Sequence, residues 1–116
     1  MIDDLEFTET RLEDRFLSLC HRHRLPRPLT QHHLDGKRID FVWPGQRVAV
    51  ETDGWQAHGT RSAFQADRTV SNRLQLAGYM ILRFTDTDVR RRPAQVASQI
   101  TAALARRPPS PGSVSA

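Results

Sequence analysis

The sequence has a single cysteine, Cys20, which excludes an internal disulfide and any cysteine-rich zinc cluster. A metal here must be held by oxygen or imidazole. No apolar run approaches the roughly 18 residues that cross a bilayer, and the acidic start (Asp3, Asp4, Glu6) is unlike a signal peptide. With the lone thiol, this sets the expected location in the cytoplasm. Lysine is scarce too, since all but one of the 17 basic residues are arginine. The formal charge of +4 favours a polyanionic partner, although an arginine bias follows from codon composition as readily as from phosphate contacts.

What is present fits one small domain. At 116 residues, with 38% hydrophobic and 26% charged residues, the chain is long enough for one modest core. Residues 1–107 form the expected domain, and Pro108 to Ala116, rich in proline and serine, reads as a disordered tail. No internal repeat is visible.

Leu12, Phe16, Leu19 and Cys20 recur at helical spacing, which predicts a helix from Thr8 to His23 ended by Pro26 and Pro28. Thr8 or Thr10 could cap it, and Thr10 with Glu13 matches a capping box. Leu29 to Leu34 and Lys37 to Val42 read as strands joined at Asp35-Gly36. Trp43 to Gln46 makes another turn before the β-branched run Arg47 to Thr52. Ala63 to Ala77 reads as a helix stopped by Gly78. Tyr79 to Phe84 is almost continuously apolar, as expected of a strand in the sheet centre. The last helix runs from Thr87 or Pro93 to Arg106. The order αβββαβα gives an α/β fold with a mixed sheet flanked by helices.

If the turn at 43–46 pairs Val42 with Arg47, Asp40 lies opposite Ala49 and Glu51 falls diagonally beside it. Alternation then puts Arg38, Asp40, Ala49, Glu51 and Asp53 on one face and Ile39, Phe41, Val48 and Val50 on the other. One face would be core and the other chemistry. Diagonal neighbours sit about 7–8 Å apart, near enough for two carboxylates to share a cation, and oxygen ligands suit Mg²⁺ or Mn²⁺ better than zinc. The same spacing also fits plain ion pairs of Asp40 and Glu51 with Arg38, Arg47 or Arg83.

Taken together, Leu12-Glu13, Ile39-Asp40-Phe41, Val48 to Gly54 (VAVETDG), His58-Gly59 and Gly78 to Thr85 (GYMILRFT) resemble the domain related to very-short-patch-repair endonucleases. That domain belongs to the PD-(D/E)XK, or restriction-endonuclease-like, superfamily. The resemblance covers roughly Thr10 to Leu104. It implies a mixed four-stranded sheet between helices and a metal-dependent DNA endonuclease. It also implies that Asp40, Glu51 and Asp53 bind Mg²⁺ or Mn²⁺ and that Glu13 adds an acidic group. The superfamily's usual lysine would fall at position 53, where this chain has Asp53, matching the E-x-D-G form of the repair-like branch.

His58 would then act as general base or orient the attacking water, its unperturbed pKa being about 6.5; a solvated loop histidine is the plain alternative. Arg83 needs a partner in its strand, which an acidic site would supply. Arg68 and Arg73 on the second helix, and Arg90 and Arg91 in the run Arg90-Arg91-Arg92, are candidate phosphate contacts; each also fits a solvated surface. One cysteine cannot build the structural zinc site of the mismatch-repair members. A catalytically silent nucleic-acid-binding module of a defence or toxin–antitoxin system is the alternative function.

Overall fold

The computed structural model describes residues 4–53 and 61–106, and the side chains of 11–52 and 68–106. His58 and the tail from 108 onward lie outside the described residues. The first helix, α1, spans Asp4–Arg22. Nothing from Asp4 onward is a helix breaker, so the helix begins well before Thr8 and places Thr10 in its interior. The capping box expected at Thr10 and Glu13 therefore does not form, and Glu13 is left for another partner.

The helix stops before the prolines. Arg24 takes a left-handed φ of 59°, its N–H donates to His21 O at 3.2 Å, and Leu25 N–H donates to Cys20 O at 2.9 Å. These two bonds form a Schellman motif, with Leu25 turned back onto the core. Burial pushes the Cys20 thiol up to about 12, so it stays protonated at neutral pH.

Strands β1 (Leu29–Leu34) and β2 (Lys37–Trp43) meet at a two-residue turn. Asp35 and Gly36 both have positive φ, 53° and 79°, as a type I′ turn requires. The next loop is longer than the sequence suggests. Arg47 N–H donates to Pro44 O at 3.2 Å and Arg47 sits at φ 55°, so it closes the turn instead of opening a strand. Strand β3 is therefore Val48–Asp53, and Val42 pairs with Ala49. The β2–β3 register is displaced from the expected Val42–Arg47 pairing, and that displacement relocates the acids.

Helix α2 (Arg61–Leu76) ends at Gly78, φ 93°, with Gly78 N–H to Gln75 O at 2.9 Å and Tyr79 N–H to Leu74 O at 3.0 Å. Strand β4 (Met80–Thr85) runs parallel to β3. The sheet order is β1-β2-β3-β4, so β4 lies at an edge and not in the centre. Its apolar character reflects helices on both faces: Leu82 and Phe84 join one core cluster and Ile81 the other.

The final helix is two helices, α3 (Asp86–Arg91) and α4 (Pro93–Ala105). Proline lacks an N–H and clashes with a helical predecessor, so Arg92 leaves the helical region at φ −131°, ψ 47°. Thr85 caps α3 by a reciprocal capping box with Asp88. The Thr85 N–H that donates to Asp88 holds that carboxyl below the usual carboxylate range.

Both faces of the sheet are core. Phe41, Trp43, Val48, Val50 and Phe84 pack with Phe16 and Leu19 of α1, Val89 of α3, and Val96 and Ile100 of α4. Ile39, Val42 and Ala49 pack with Leu74, Val70 and Ile81 under α2. Ile39 thus parts company with Phe41, and no face is left over for chemistry alone. Among the described residues no helix is long and apolar enough to cross a membrane.

Candidate functional site

The polar chemistry lies along a row that crosses the strands. The β1–β2 register pairs Thr30 with Phe41 and His32 with Ile39, so Gln31 faces Asp40. The β2–β3 register pairs Phe41 with Val50 and ends there; continued by one residue, it sets the Asp40 backbone across from that of Glu51. In β4, Glu51 is paired with Arg83. One line across four strands therefore reads Gln31, Asp40, Glu51, Arg83, beside an apolar line of Phe41, Val50 and Leu82. The side chains diverge from that line: Asp40 meets Thr52 and Gln31 meets Glu13 of α1, whereas Glu51 shares the α2 side with Lys37 and Arg83.

The ladder is interrupted along this row. Regular pairing skips Gln31–Asp40 and ends at Phe41–Val50. In place of a strand carbonyl, the Asp40 carboxylate takes the Thr52 N–H at 2.9 Å, and the Thr52 hydroxyl donates to the same Oδ2 at 3.2 Å. Gln31 has a left-handed φ of 50°, a conformation that costs a non-glycine residue about 1–3 kcal/mol. Its Nε2 donates to Glu13 Oε2 at 3.1 Å, so α1 reaches the row through Glu13. Its Oε1 is buried with no hydrogen-bond partner, a further cost of about 1–3 kcal/mol. Strain and an orphaned acceptor coincide at one residue.

Glu51 is only 13% exposed and lies between two cations, with Lys37 Nζ at 2.8 Å from Oε1 and Arg83 Nη2 at 3.4 Å from Oε2. The partner that Arg83 was expected to need is thus Glu51. Lys37, the only lysine of the chain, drew no attention in the sequence beyond opening a strand. Its rarity in an arginine-rich chain was the available signal. Gln31 carried no such signal, because left-handed backbone at a glutamine leaves no mark in composition or period.

Of the other expected residues, Asp53 pairs through its backbone with Thr85, and its side chain lies outside the described ones. Among the described residues, which include the side chains of Glu13, Asp40 and Glu51 but not that of Asp53, no three His, Cys, Asp or Glu side chains gather to hold a metal. Arg73 is engaged with Asp35 at 2.7 Å, joining α2 to the first hairpin. Arg90 is engaged with Asp86 at 2.8 Å, and Asp86 also takes Arg15 at 3.3 Å. Arg68 and Arg91 are exposed.

The donor set suits a hard cation. Asp40, Glu51 and Gln31 all offer oxygen donors, with Asp40 and Gln31 engaged by Thr52 and Glu13 on the α1 side and Glu51 engaged by Lys37 and Arg83 on the α2 side. Lys37 and Arg83 offset the Glu51 charge in part.

Over residues 22–104 the chain matches the family model REase_MTES_1575, which describes a restriction endonuclease-like family. Two proteins of Mycobacterium tuberculosis, Uncharacterized protein MT2308 and Uncharacterized protein Rv2248, are each 31% identical over 103 residues, 84% of this chain and 38% of theirs. The chain thus spans well under half the length of these relatives. Among solved structures, the Homing Endonuclease I-Bth0305I Catalytic Domain superposes with a TM-score of 0.61 at 22% identity, covering 79% of this chain and 91% of that one. The likeness is one of fold, and its mixed four-stranded sheet between helices agrees with the architecture above.

Proposed function

The chain belongs to the restriction endonuclease-like family described by REase_MTES_1575, and from that premise we propose that it is a metal-dependent nuclease domain, residues 1–107, that hydrolyses DNA phosphodiester bonds. The observation that supports this reading most is the Asp40 carboxylate, held by the Thr52 N–H and hydroxyl where the β2–β3 pairing ends. Asp40, Glu51 and Asp53 are the proposed cation ligands, with Glu13 in support. Mg²⁺ or Mn²⁺ bound there would neutralise the carboxylates and polarise the scissile phosphate.

The chain's own residues supply the remainder. Asp40, fixed by Thr52, presents a carboxylate that need not reorganise, which is the condition for efficient electrostatic stabilisation. Lys37 and Arg83 hold Glu51 in place and set positive charge beside the site for a phosphate. His58, which follows β3 in sequence, takes the proton from the attacking water at an imidazole nitrogen. Arg68 and Arg91, both exposed, contact the DNA backbone. The E-x-D-G form of Glu51 to Gly54 aligns the chain with the repair-like branch of the superfamily.

Replacing Asp40 by Ala removes nicking of supercoiled plasmid in Mg²⁺ or Mn²⁺ while the circular dichroism spectrum is unchanged. Cleavage at the wild-type rate by that variant contradicts the assignment.

One observation favours a second reading. Glu51 already has two cationic partners, an arrangement that a silent nucleic-acid-binding module would retain. Salt-sensitive DNA binding by the wild-type chain with no cleavage in either metal supports that reading instead.

A further inference from the structure

The two faces of the β1–β2 hairpin are treated differently. On the α2 side the hairpin is fastened down. Leu34 and Ile39 pack with Leu74 and Val70, Arg73 of α2 reaches Asp35 of the turn at 2.7 Å, and Lys37 holds Glu51 at 2.8 Å. On the α1 side Gln31 meets Glu13 of the helix, and the residues farther out, His33 and Arg38, are exposed.

Alternation fixes the way this exposed pair faces. Lys37 and Ile39 lie on the α2 side, so Arg38 between them lies on the α1 side with Asp40, whose carboxylate meets Thr52 there. His33 precedes Leu34, which is on the α2 side, and pairs directly with Arg38. Arg38 and Asp40 are therefore neighbours on one face, about 7 Å apart along the strand.

Arg38 is also uncommitted. Arg15, Arg73, Arg83, Arg90 and Arg92 each hold a carboxylate. Among the described residues the side chains of Arg38 and His33 have no hydrogen bond or ion pair, and Asp40, the nearest acid along β2, is taken by Thr52 instead. Cross-strand positions favour opposite charges, yet here an arginine faces a second nitrogen donor. The partner that both can serve is an anion from outside the chain.

We propose that the α1 face of this hairpin is a clamp for the DNA backbone, Arg38 taking a phosphate beside the one at Asp40 and His33 donating a further hydrogen bond to the same strand. The inference rests on the nuclease reading above and deepens it by naming how the substrate strand is laid across the site. A guanidinium presents a rigid fork of N–H donors that matches phosphate, and phosphate contacts set the register of a nucleic acid without reading its sequence. Because the opposite face is fastened to α2, the arm need not be ordered on binding.

The test is fluorescence anisotropy of a short labelled DNA duplex in EDTA, which keeps cleavage out of the reading, across a range of salt. The full chain is compared as wild type, Arg38→Gln, His33→Ala and Arg27→Gln. Arg27 is exposed and precedes β1, so its variant removes the same charge from the other end of that strand.

Arg38→Gln is expected to weaken binding about tenfold and to reduce the salt slope by about one, with an unchanged melting temperature. His33→Ala should weaken it about threefold, and Arg27→Gln should stay within about twofold of wild type. Wild-type affinity in Arg38→Gln, equal losses in Arg38→Gln and Arg27→Gln, or no binding by wild type overturns the clamp. If wild type nicks plasmid in Mg²⁺ and Asp40→Ala does not, while Arg38→Gln binds as wild type, the clamp falls and the nuclease reading stands. If wild type nicks nothing while Arg38→Gln still loses affinity and slope, the clamp stands and the nuclease reading falls.

Discussion

Two neighbouring lines across the same sheet obey opposite rules. Along one line Phe41 and Val50 are apolar, fully buried and regularly paired, and Phe41 stacks on Phe16 with ring centroids 4.1 Å apart. One residue along each strand, the line through Gln31, Asp40, Glu51 and Arg83 is polar, interrupted and strained. Every local preference agrees along the first line, and several are broken together along the second. A marginally stable domain keeps such a cost where it serves activity, so the pair of lines separates what holds the fold from what uses it.

That separation can be broken by substitutions on either side of it. The largest stability effect belongs to the apolar line. Phe41→Ala deletes a wholly buried ring and should cost about 3–5 kcal/mol in urea unfolding, without direct effect on Mn²⁺ affinity in the folded fraction. At the far end of β4, Thr85→Ala removes the α3 cap and should cost about 1 kcal/mol, a control that touches neither line.

The same cap has a pH signature. The folded-state pKa of Asp88 is depressed, so its contribution is present above the unfolded carboxylate pKa and is lost as pH falls through the folded value. Acid titration of the Thr85→Ala variant should therefore show a weaker loss on the acid side than wild type.

The smallest stability effect falls on the polar line. Asp40→Asn keeps an acceptor for the Thr52 N–H, so it should cost under about 1 kcal/mol while cleavage is lost. A large destabilisation by Asp40→Asn would erase the contrast between the two lines.

Much of the fold was legible because its signals are local. Helical spacing of Leu12, Phe16, Leu19 and Cys20, the Asp35-Gly36 turn and the Gly78 stop each follow from one stretch of chain. Failures came where backbone departs from what its residue type advertises. Arg24 and Arg47 both take left-handed φ, a role usually given to glycine; the first ends α1 before its prolines, and the second displaces the β2–β3 register.

The site was legible in kind and blurred in placement. Asp40 and Glu51 were visible in the alternation of their strands, yet the register between those strands depended on Arg47. Gln31 and Lys37 were missed because their relation to the acids arises from register and packing, and no short window of sequence contains it. Edge placement of β4 was hidden for a similar reason: helices on both faces make an edge strand as apolar as a central one.

The most direct test of the central claim is a Mg²⁺ titration of plasmid nicking by wild type and by Glu51→Gln, run beside an EDTA control. Nicking by wild type should rise with Mg²⁺ and vanish in EDTA. With Glu51→Gln it should fall by more than the roughly 10–100-fold typical of losing a residue behind a metal ligand. Nicking that persists in EDTA, or a Glu51→Gln curve that overlays wild type, would contradict the polar row as a cation site.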